Sequence, residues 1–411
     1  MTANKVIKIL GGWEGYRVAT VGPSSTSPSK EEREIWVELV PEGRKGICGE
    51  CGRGCTRVHD TSERWIRELP VFGQPCLLLV HRRRVWCGHC NGPKLERLSW
   101  LEPWARHTSR FAKSVARLCK VATHKHVAAE YKIDRKTVKT IDKRYLEETI
   151  PPADLSNVRV LAMDEFAIQK GHRYATVIIE PKRKEVLWIG RGRGREDIRP
   201  FFDLLGEEGR ARIEAVAMDM NGAYAHEVKA QCPQAKIVYD LFHVVVKYGR
   251  EVIDRVRVDE ANRLKDNKAA RKVVKGSRWL LLRNAKNLAR HQDRVRLKEL
   301  LAANRKLATV YILKDDLKHL WDYSYPGAAE RFWKQWYNRA IRSRIEPLKA
   351  FAKKVKGYIE GVLSHCLYPL HTSLLEGINN KIKVIKRMAY GYRDDDYFFL
   401  KIRQAFPGIG S

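Results

Sequence analysis

Two apolar runs in this chain end on the same dipeptide. Val158-Arg-Val-Leu-Ala-Met-Asp164 and Ile213-Glu-Ala-Val-Ala-Met-Asp219 each read as a buried strand finishing in a carboxylate. An aspartate at a strand end can be a structural cap and nothing more. Two of them at the ends of neighbouring central strands would converge on one spot, where their oxygens suit Mg²⁺ or Mn²⁺. Two such ions about 3.5–4 Å apart clamp the attacking and leaving oxygens of a phosphodiester displacement. A third carboxylate from a separate element would let the site hold both ions. The stretch from Thr372 to Arg387 reads as a capped helix on which Glu376, Asn379, Asn380 and Lys383 share one face. A carboxylate leading a polar and basic face, continued by Lys386 and Arg387, suits metal ligation beside phosphate. The plain alternative for Glu376 is a first-turn glutamate favoured by the helix macrodipole.

A second constellation is built from sulfur. The nine cysteines stand at 48, 51, 55, 76, 87, 90, 119, 232 and 366. The N-terminus lacks the apolar core of an export signal, so a disulfide framework is not expected. Cys48-Gly-Glu-Cys51 and Cys87-Gly-His-Cys90 are CxxC pairs that can supply four thiolates to one zinc ion. A closed four-ligand site would fold a module and do no chemistry. Between the pairs, Trp65 to Glu68 and Cys76 to Trp86 read as strands of a hairpin. Cys55, His59, His81 and His89 are possible substitute ligands, and two reduced thiol pairs in a small β domain are the alternative. Cys76, Cys119, Cys232 and Cys366 read as buried small apolar residues.

The elements that would position these groups follow from periodicity and punctuation. Residues 108 to 147 read as three helices. Thr108-Ser109 caps the first, Val127, Ala128 and Ala129 mark the second, and Asp134 caps the third. In the third, Val138 and Ile141 form the buried stripe, leaving Arg135, Lys136, Lys139, Thr140 and Lys143 outward, as a major-groove helix requires. An ordinary helical hairpin is the alternative. After Pro151-Pro152, a linker, strands are expected at Tyr174 to Glu180 and Glu185 to Gly190. The loop Arg191-Gly192-Arg193-Gly194-Arg195 precedes a helix starting near Glu196. A helix from Ala223 to Ala230 leads to the strand Ile237 to Asp240. The order β-β-β-α-β-α-β is that of a ribonuclease-H-like core.

Charge narrows the partner. The 411 residues carry 79 Lys+Arg against 48 Asp+Glu, a net +31, with 44% hydrophobic residues. That length fits two to four domains, and the apolar fraction excludes a disordered tail protein. No apolar run reaches the 18 or so residues of a membrane span. From Val244 to His365 there are 30 Lys/Arg and 13 Asp/Glu, a net +17 in one helical stretch with Trp279, Trp321, Trp333 and Trp336 interleaved. Either this is a bundle with a solvated basic face and a tryptophan core, or it is also a DNA-binding surface. A polyanion, first of all nucleic acid, would neutralise such an excess. The arginines of the Arg-Gly loop and the basic face after Glu376 would add phosphate contacts.

Together these features resemble the DDE transposases of bacterial insertion sequences, specifically the ISL-type group with an N-terminal zinc ribbon and helix-turn-helix. The most specific piece is Glu376-Gly-Ile-Asn-Asn-Lys-Ile-Lys-Val-Ile-Lys-Arg-Met-Ala-Tyr-Gly-Tyr392, followed by Tyr397-Phe-Phe-Leu-Lys-Ile; Asp240-Leu-Phe-His243-Val-Val resembles the motif after the second catalytic aspartate. The resemblance implies Asp164, Asp219 and Glu376 as the catalytic triad with two Mg²⁺ or Mn²⁺ ions, and Asp240 and His243 as accessory active-site residues. It further implies structural Zn²⁺ on Cys48, Cys51, Cys87 and Cys90, and the basic stretch as a helical insertion. The expected layout is a multidomain α/β chain: a β-rich zinc ribbon over 1–100 and a helix-turn-helix over 101–150. The catalytic core would occupy 155–243, the helical insertion 244–365 and the rest of the core 366–411. Expected partners are double-stranded DNA (terminal inverted repeats, flanking and target DNA) and a further copy of the chain, in the cytoplasm at the nucleoid. A non-catalytic DNA-binding regulator and a nuclease or junction resolvase on the same core are the readings it competes with.

Overall fold

The computed structural model describes residues 3–23, 34–169, 171, 173–283, 287–370 and 373–408. Thr372, expected to cap the last basic helix, lies outside them. Two compact units emerge: Met1–Pro151 with Arg387–Tyr390, and Pro152–Lys386 with Gly391–Ser411. Among the described residues no helix is long and apolar enough to cross a membrane.

The first unit begins with α1 (Ala3–Gly11), then β1 (Tyr16–Pro23), β2 (Ile35–Pro41), a short ribbon of β3 (Gly46–Ile47) and β4 (Gly54–Cys55), β5 (Val58–Val71), β6 (Gln74–Cys87) and β7 (Gly92–Leu95). The main sheet runs β1-β2-β6-β5, with β7 on β6. Strands β5 and β6 form one long hairpin, turned by Phe72 and Gly73, whose φ values of 49° and 77° are those of a two-residue turn of the primed type. Its alternate residues Ile66, Leu78 and Val80 close a core with Tyr16, Val37 and Leu39. Three helices follow: α2 (Ser109–Leu118), α3 (His124–Tyr131) and α4 (Arg135–Thr149), N-capped by the side chains of Thr108, Thr123 and Asp134. Lys132, left-handed at φ 50°, ends α3 and starts the turn into α4. Phe111, Val115, Val127, Val138 and Ile141 make their shared core.

The second unit is built on β8 (Val160–Gln169), β9 (Arg173–Glu180), β10 (Glu185–Arg191), β11 (Ala215–Met218) and β12 (Lys236–Tyr239), in the order β10-β9-β8-β11-β12. Strands β8, β11 and β12 are parallel, while β9 and β10 pair antiparallel. The strand expected to end at Asp164 continues to Gln169, because the antiparallel pairing with β9 extends to Gln169↔Arg173. Side-chain alternation sends Leu161, Met163, Val216 and Met218 to one face, against α5 (Arg195–Arg212) and α6 (Gly222–Gln231).

From β12 the chain is helical. It runs through α7 (Leu241–Tyr248), a π turn at Gly249–Ile253, α8 (Asp254–Arg263), α9 (Lys268–Gly276), α10 (Arg278–Leu282) and α11 (His291–Ala303). It continues through α12 (Arg305–Lys318), α13 (Pro326–Arg342), α14 (Glu346–Lys356) and α15 (Ile359–Leu363). Tyr248 meets Phe351 edge-on at 5.1 Å and Trp333 stacks on Trp336 at 5.3 Å, forming an aromatic centre. Of the four interleaved tryptophans, Trp333 and Trp336 are core, Trp321 is half-buried, and Trp279 is 64% exposed. Two last helices, α16 (Ser373–Met388) and α17 (Asp395–Ala405), place Leu375, Ile378, Ile382, Phe398 and Ile402 on the second face of the sheet, over Val160, Ala162, Phe166, Ala217 and Val238.

Gly361 of α15 packs against the end of β12: a Cβ there would lie 2.5 Å from the ring of Tyr239 and 3.3 Å from the carbonyl of Ile237. Gly361→Ala is expected to destabilise this unit by about 1–3 kcal/mol through overpacking. A lowered urea midpoint at unchanged slope would register it; an unchanged midpoint would contradict the contact.

Candidate functional site

Strand register brings the acids together. Ala217 of β11 pairs with Ala162 of β8 on one side and with Val238 of β12 on the other. Two residues further along each segment stand Asp164, within β8, and Asp219 and Asp240, just past the ends of β11 and β12. Within β8, alternation puts Asp164 on the face that Ala162 turns toward α16. Glu165 is sent to the other face, where Arg193 Nη1 donates to it at 3.0 Å. Strand β11 ends at Met218 because the chain turns at once: the Asn221 N–H reaches the Asp219 carbonyl at 2.7 Å and the Asn221 side chain caps α6.

Helix α16 closes over Asp164. Its Asn379 Nδ2 donates to Asp164 Oδ2 at 2.5 Å, and the Glu165 N–H donates to Asp164 Oδ1 at 2.7 Å. Glu376 lies one helical turn before Asn379 and is exposed. The Asn379 Oδ1 is buried with no hydrogen-bond partner among the described residues. A buried acceptor beside half-buried carboxylates is an arrangement that a cation satisfies and a neutral core does not. Burial pushes the Asp164 carboxyl up to about 6. The negative charges of Asp219 and Glu165 add to that, while the Glu165 N–H and His243 oppose it. His243, in the first turn of α7, is half-buried with Nε2 3.7 Å from Asp240 Oδ2.

The basic residues are distributed less simply. Asn380 and Lys383 are exposed and contact each other at 3.4 Å, Lys386 Nζ donates to the Ala167 carbonyl at 2.9 Å, and Arg387 is exposed. The Arg-Gly loop is held by internal carboxylates. Arg191 bonds Asp395 at 2.9 Å and Asp396 at 2.7 Å, Arg193 also lies 4.1 Å over the Tyr174 ring, and Arg195 bonds Glu227 at 2.5 Å. The acidic partners Asp395, Asp396 and Glu227 had no signal in the sequence that tied them to this loop. On α4, Arg135, Lys136 and Thr140 are exposed, whereas Lys139 and Lys143 are half-buried.

In the first unit Cys48, Cys51, Cys87 and Cys90 converge, with ligand atoms within 4.8 Å of one another. The Cys48–Cys90 and Cys51–Cys87 sulfur separations are 3.9 and 3.6 Å. A tetrahedral ion with sulfurs at about 2.3 Å requires about 3.8 Å between them, so the four residues fit zinc. The Cys90 N–H donates to Cys87 Sγ at 3.4 Å and is the main cause holding that thiol down at about 6. Of the substitute ligands, Cys55 packs against Cys48 and Cys87 with its Sγ donating to the Arg53 carbonyl at 3.7 Å, while His59 stacks near Trp86 and His81 pairs with Glu38 at 2.9 Å. His89 Nδ1 is 3.9 Å from Cys90 Sγ.

The folded carboxyl of Asp164 lies above its ordinary value of 3.8, so its charged form opposes folding. The contribution is favourable below about pH 4 and is lost as pH rises through about 6. Without divalent metal at pH 7, Asp164→Asn is therefore expected to be more stable than the parent by on the order of 1–3 kcal/mol, with the gain gone at pH 4. Thermal melts at the two pH values check this; equal stability at pH 7 would count against a strained carboxylate.

Comparison with known proteins identifies the chain's relatives. Residues 161–402 match the ISL3-type DDE family described as "Transposase". Residues 96–146 match the helix-turn-helix domain of transposase family ISL3, and residues 44–90 the zinc-finger of transposase IS204/IS1001/IS1096/IS1165. The chain is 51% identical over 408 residues, 99% of either chain, to the transposase for insertion sequence element IS1001 of Bordetella parapertussis. It is 28% identical over 373 residues, 84% of this chain and 82% of the other, to the transposase for insertion sequence element IS1557 of Mycobacterium tuberculosis. With the first match spanning well over half its length, and a relative alike from end to end, the chain belongs to the ISL3 family of insertion-sequence transposases.

Proposed function

We propose that this transposase binds the terminal inverted repeats of its element and catalyses metal-dependent DNA strand cleavage followed by strand transfer. The observation that carries the reading is the approach of Asp219, just past β11, to Asp164 on the adjacent parallel strand β8, with α16 delivering Asn379 onto Asp164 and Glu376 one turn away. Asp164, Asp219 and Glu376 would hold two Mg²⁺ or Mn²⁺ ions. Bound there, the ions would lower the cost of ionising a water or a 3′-hydroxyl and spread the charge of the phosphodiester transition state. Asn379 and the Glu165 N–H each donate to one oxygen of Asp164 and would orient that carboxylate for the ions. Asp240 and His243 would contact the scissile phosphate or flanking DNA. Water cleaves the phosphodiester at each transposon end, and the freed 3′-hydroxyl attacks target DNA in line.

Strand order β10-β9-β8-β11-β12, with its three parallel members, supports reading residues 155–243 and 366–411 as a ribonuclease-H-like core interrupted by a helical insertion at 244–365. A structural zinc on the four cysteines would hold a ribbon within residues 1–100. The ribbon and the helix-turn-helix over 101–150 would together read the repeats, with Arg135, Lys136 and Thr140 facing DNA and Lys139 and Lys143 at the margin. Arg191, Arg193, Arg195, Asn380, Lys383, Lys386 and Arg387 would line the path of the DNA backbone. Pairing two ends calls for a dimer or larger assembly, acting on DNA in the cytoplasm.

Asp164→Asn and Glu376→Gln are each expected to abolish strand cleavage on end-bearing DNA while gel-shift affinity for the ends survives; retained cleavage in either variant would refute the triad. Cys48→Ser combined with Cys87→Ser should release the ribbon's zinc and reduce the preference for end DNA over random DNA. Unchanged specificity would show that the ribbon does not read the ends.

A further inference from the structure

The buried stripe of α4 contains Val138, Ile141, Asp142 and Leu146. Three are apolar and the fourth is a carboxylate with 0% exposure. An amphipathic helix reserves such a position for a hydrocarbon side chain, and a carboxylate there needs cations or donors facing it. Two groups from the other helices converge on it. Cys119 closes α2 and is itself buried, and His124 opens α3 just after the cap residue Thr123. One ligand atom from each of Cys119, His124 and Asp142 lies within 4.8 Å of the others, and His124 Nε2 is 4.0 Å from Asp142 Oδ2. Among the described residues, the other group of His, Cys and acidic ligand atoms this close is the four-cysteine cluster.

We infer that Cys119, His124 and Asp142 form a second zinc site, located inside the helix-turn-helix. A thiolate, an imidazole and one carboxylate form a donor set that suits Zn²⁺ and is unsuited to Mg²⁺ or Ca²⁺, which demand oxygen. With bonds of about 2.0–2.3 Å, ligand atoms around a tetrahedral zinc stand roughly 3.3–3.6 Å apart. The observed 4.0 Å between imidazole and carboxylate closes to that by small side-chain rotations. Cys119 and Asp142 are buried while His124 is half-buried, so the solvent-facing side of the imidazole leaves room for a water as fourth ligand. Such an ion would tie the end of α2, the start of α3 and the middle of α4 at one point. It would fix the crossing of the three helices that present Arg135, Lys136 and Thr140, and its binding energy would become folding energy of that module. The site is independent of the carboxylate centre on the sheet and of the four-cysteine cluster.

Zinc content decides the matter. The full-length chain is equilibrated with Zn²⁺ in the presence of excess Mg²⁺, desalted, and its zinc measured per chain. The parent is expected to retain two ions. Cys119→Ser and His124→Ala should each retain one, as should Cys48→Ser combined with Cys87→Ser. The half-exposed His124 makes His124→Ala the variant least apt to unfold. In addition, Co²⁺ loaded into the Cys48→Ser, Cys87→Ser chain should still show a thiolate-to-cobalt absorption band, lost on adding Cys119→Ser. A parent with a single zinc, or folded Cys119→Ser and His124→Ala chains with two, would overturn the site and leave a metal-free imidazole–carboxylate contact. If both single variants misfold, the parent's zinc count and the cobalt band decide alone.

Discussion

A carboxylate buried near other acids is costly, and the second unit holds Asp164 in that position. Register across β8, β11 and β12 brings Asp219 near Asp164 and leaves Asp240 just past the end of β12. Burial first, and then the charges of Asp219 and Glu165, raise the Asp164 carboxyl. What holds the sheet is packing elsewhere: α5 and α6 bury one face, α16 and α17 the other, and Tyr358, just before α15, meets Tyr239 at the end of β12 edge-on at 5.4 Å. Donors aimed at Asp164 come from Asn379 and the Glu165 backbone. A buried carboxylate raised in this way is one that a bound cation would relieve.

Around those acids the chain keeps its positive charge under control. The arginines of the β10–α5 loop are not a loose basic fringe. Arg191 ties β10 to the start of α17 through Asp395 and Asp396, Arg193 stands between Glu165 and the Tyr174 ring, and Arg195 shares Glu227 with Arg199. Glu227 is fully buried, so removing its arginines would strand a charge. These residues are therefore held in place before any DNA arrives. The unneutralised excess lies mainly on the long helical segment, where exposed lysines and arginines surround a tryptophan core, and phosphate contacts there would weaken steeply with salt.

The first unit solves a different problem. Its sheet has a modest core, and the ends of the β5–β6 hairpin meet the four-cysteine cluster where few apolar side chains are available. A metal cross-link substitutes for hydrophobic burial in such a setting. The three helices that follow are specified locally to an unusual degree: each has a side-chain N-cap, and a left-handed Lys132 sets the turn between the last two. The one conflict in that local pattern, Asp142 inside the apolar stripe of α4, falls where the helices bring Cys119 and His124 together.

Much of this was legible from the residues alone, because the signals were local. The CxxC pairs, the caps at Thr108 and Asp134, the two Met-Asp runs and the order of strands and helices depend on spacing and periodicity, which survive any arrangement in space. Three things did not follow from spacing. Strand β8 runs five residues past Asp164, since its length is set by pairing with β9 and not by its own apolar run. Asn379, read as a residue for DNA, donates to Asp164 from 215 positions away, and the Arg-Gly loop finds its carboxylates on α17 and α6. Cys119, read as a small apolar filler, faces a histidine and a buried acid. In each case the deciding contact joins residues distant in sequence. Residue types determined which chemistry was available to this chain; only the packing of sheet and helices decided which charges would meet, because an ion pair or a ligand set depends on separations of a few ångströms that no local pattern encodes.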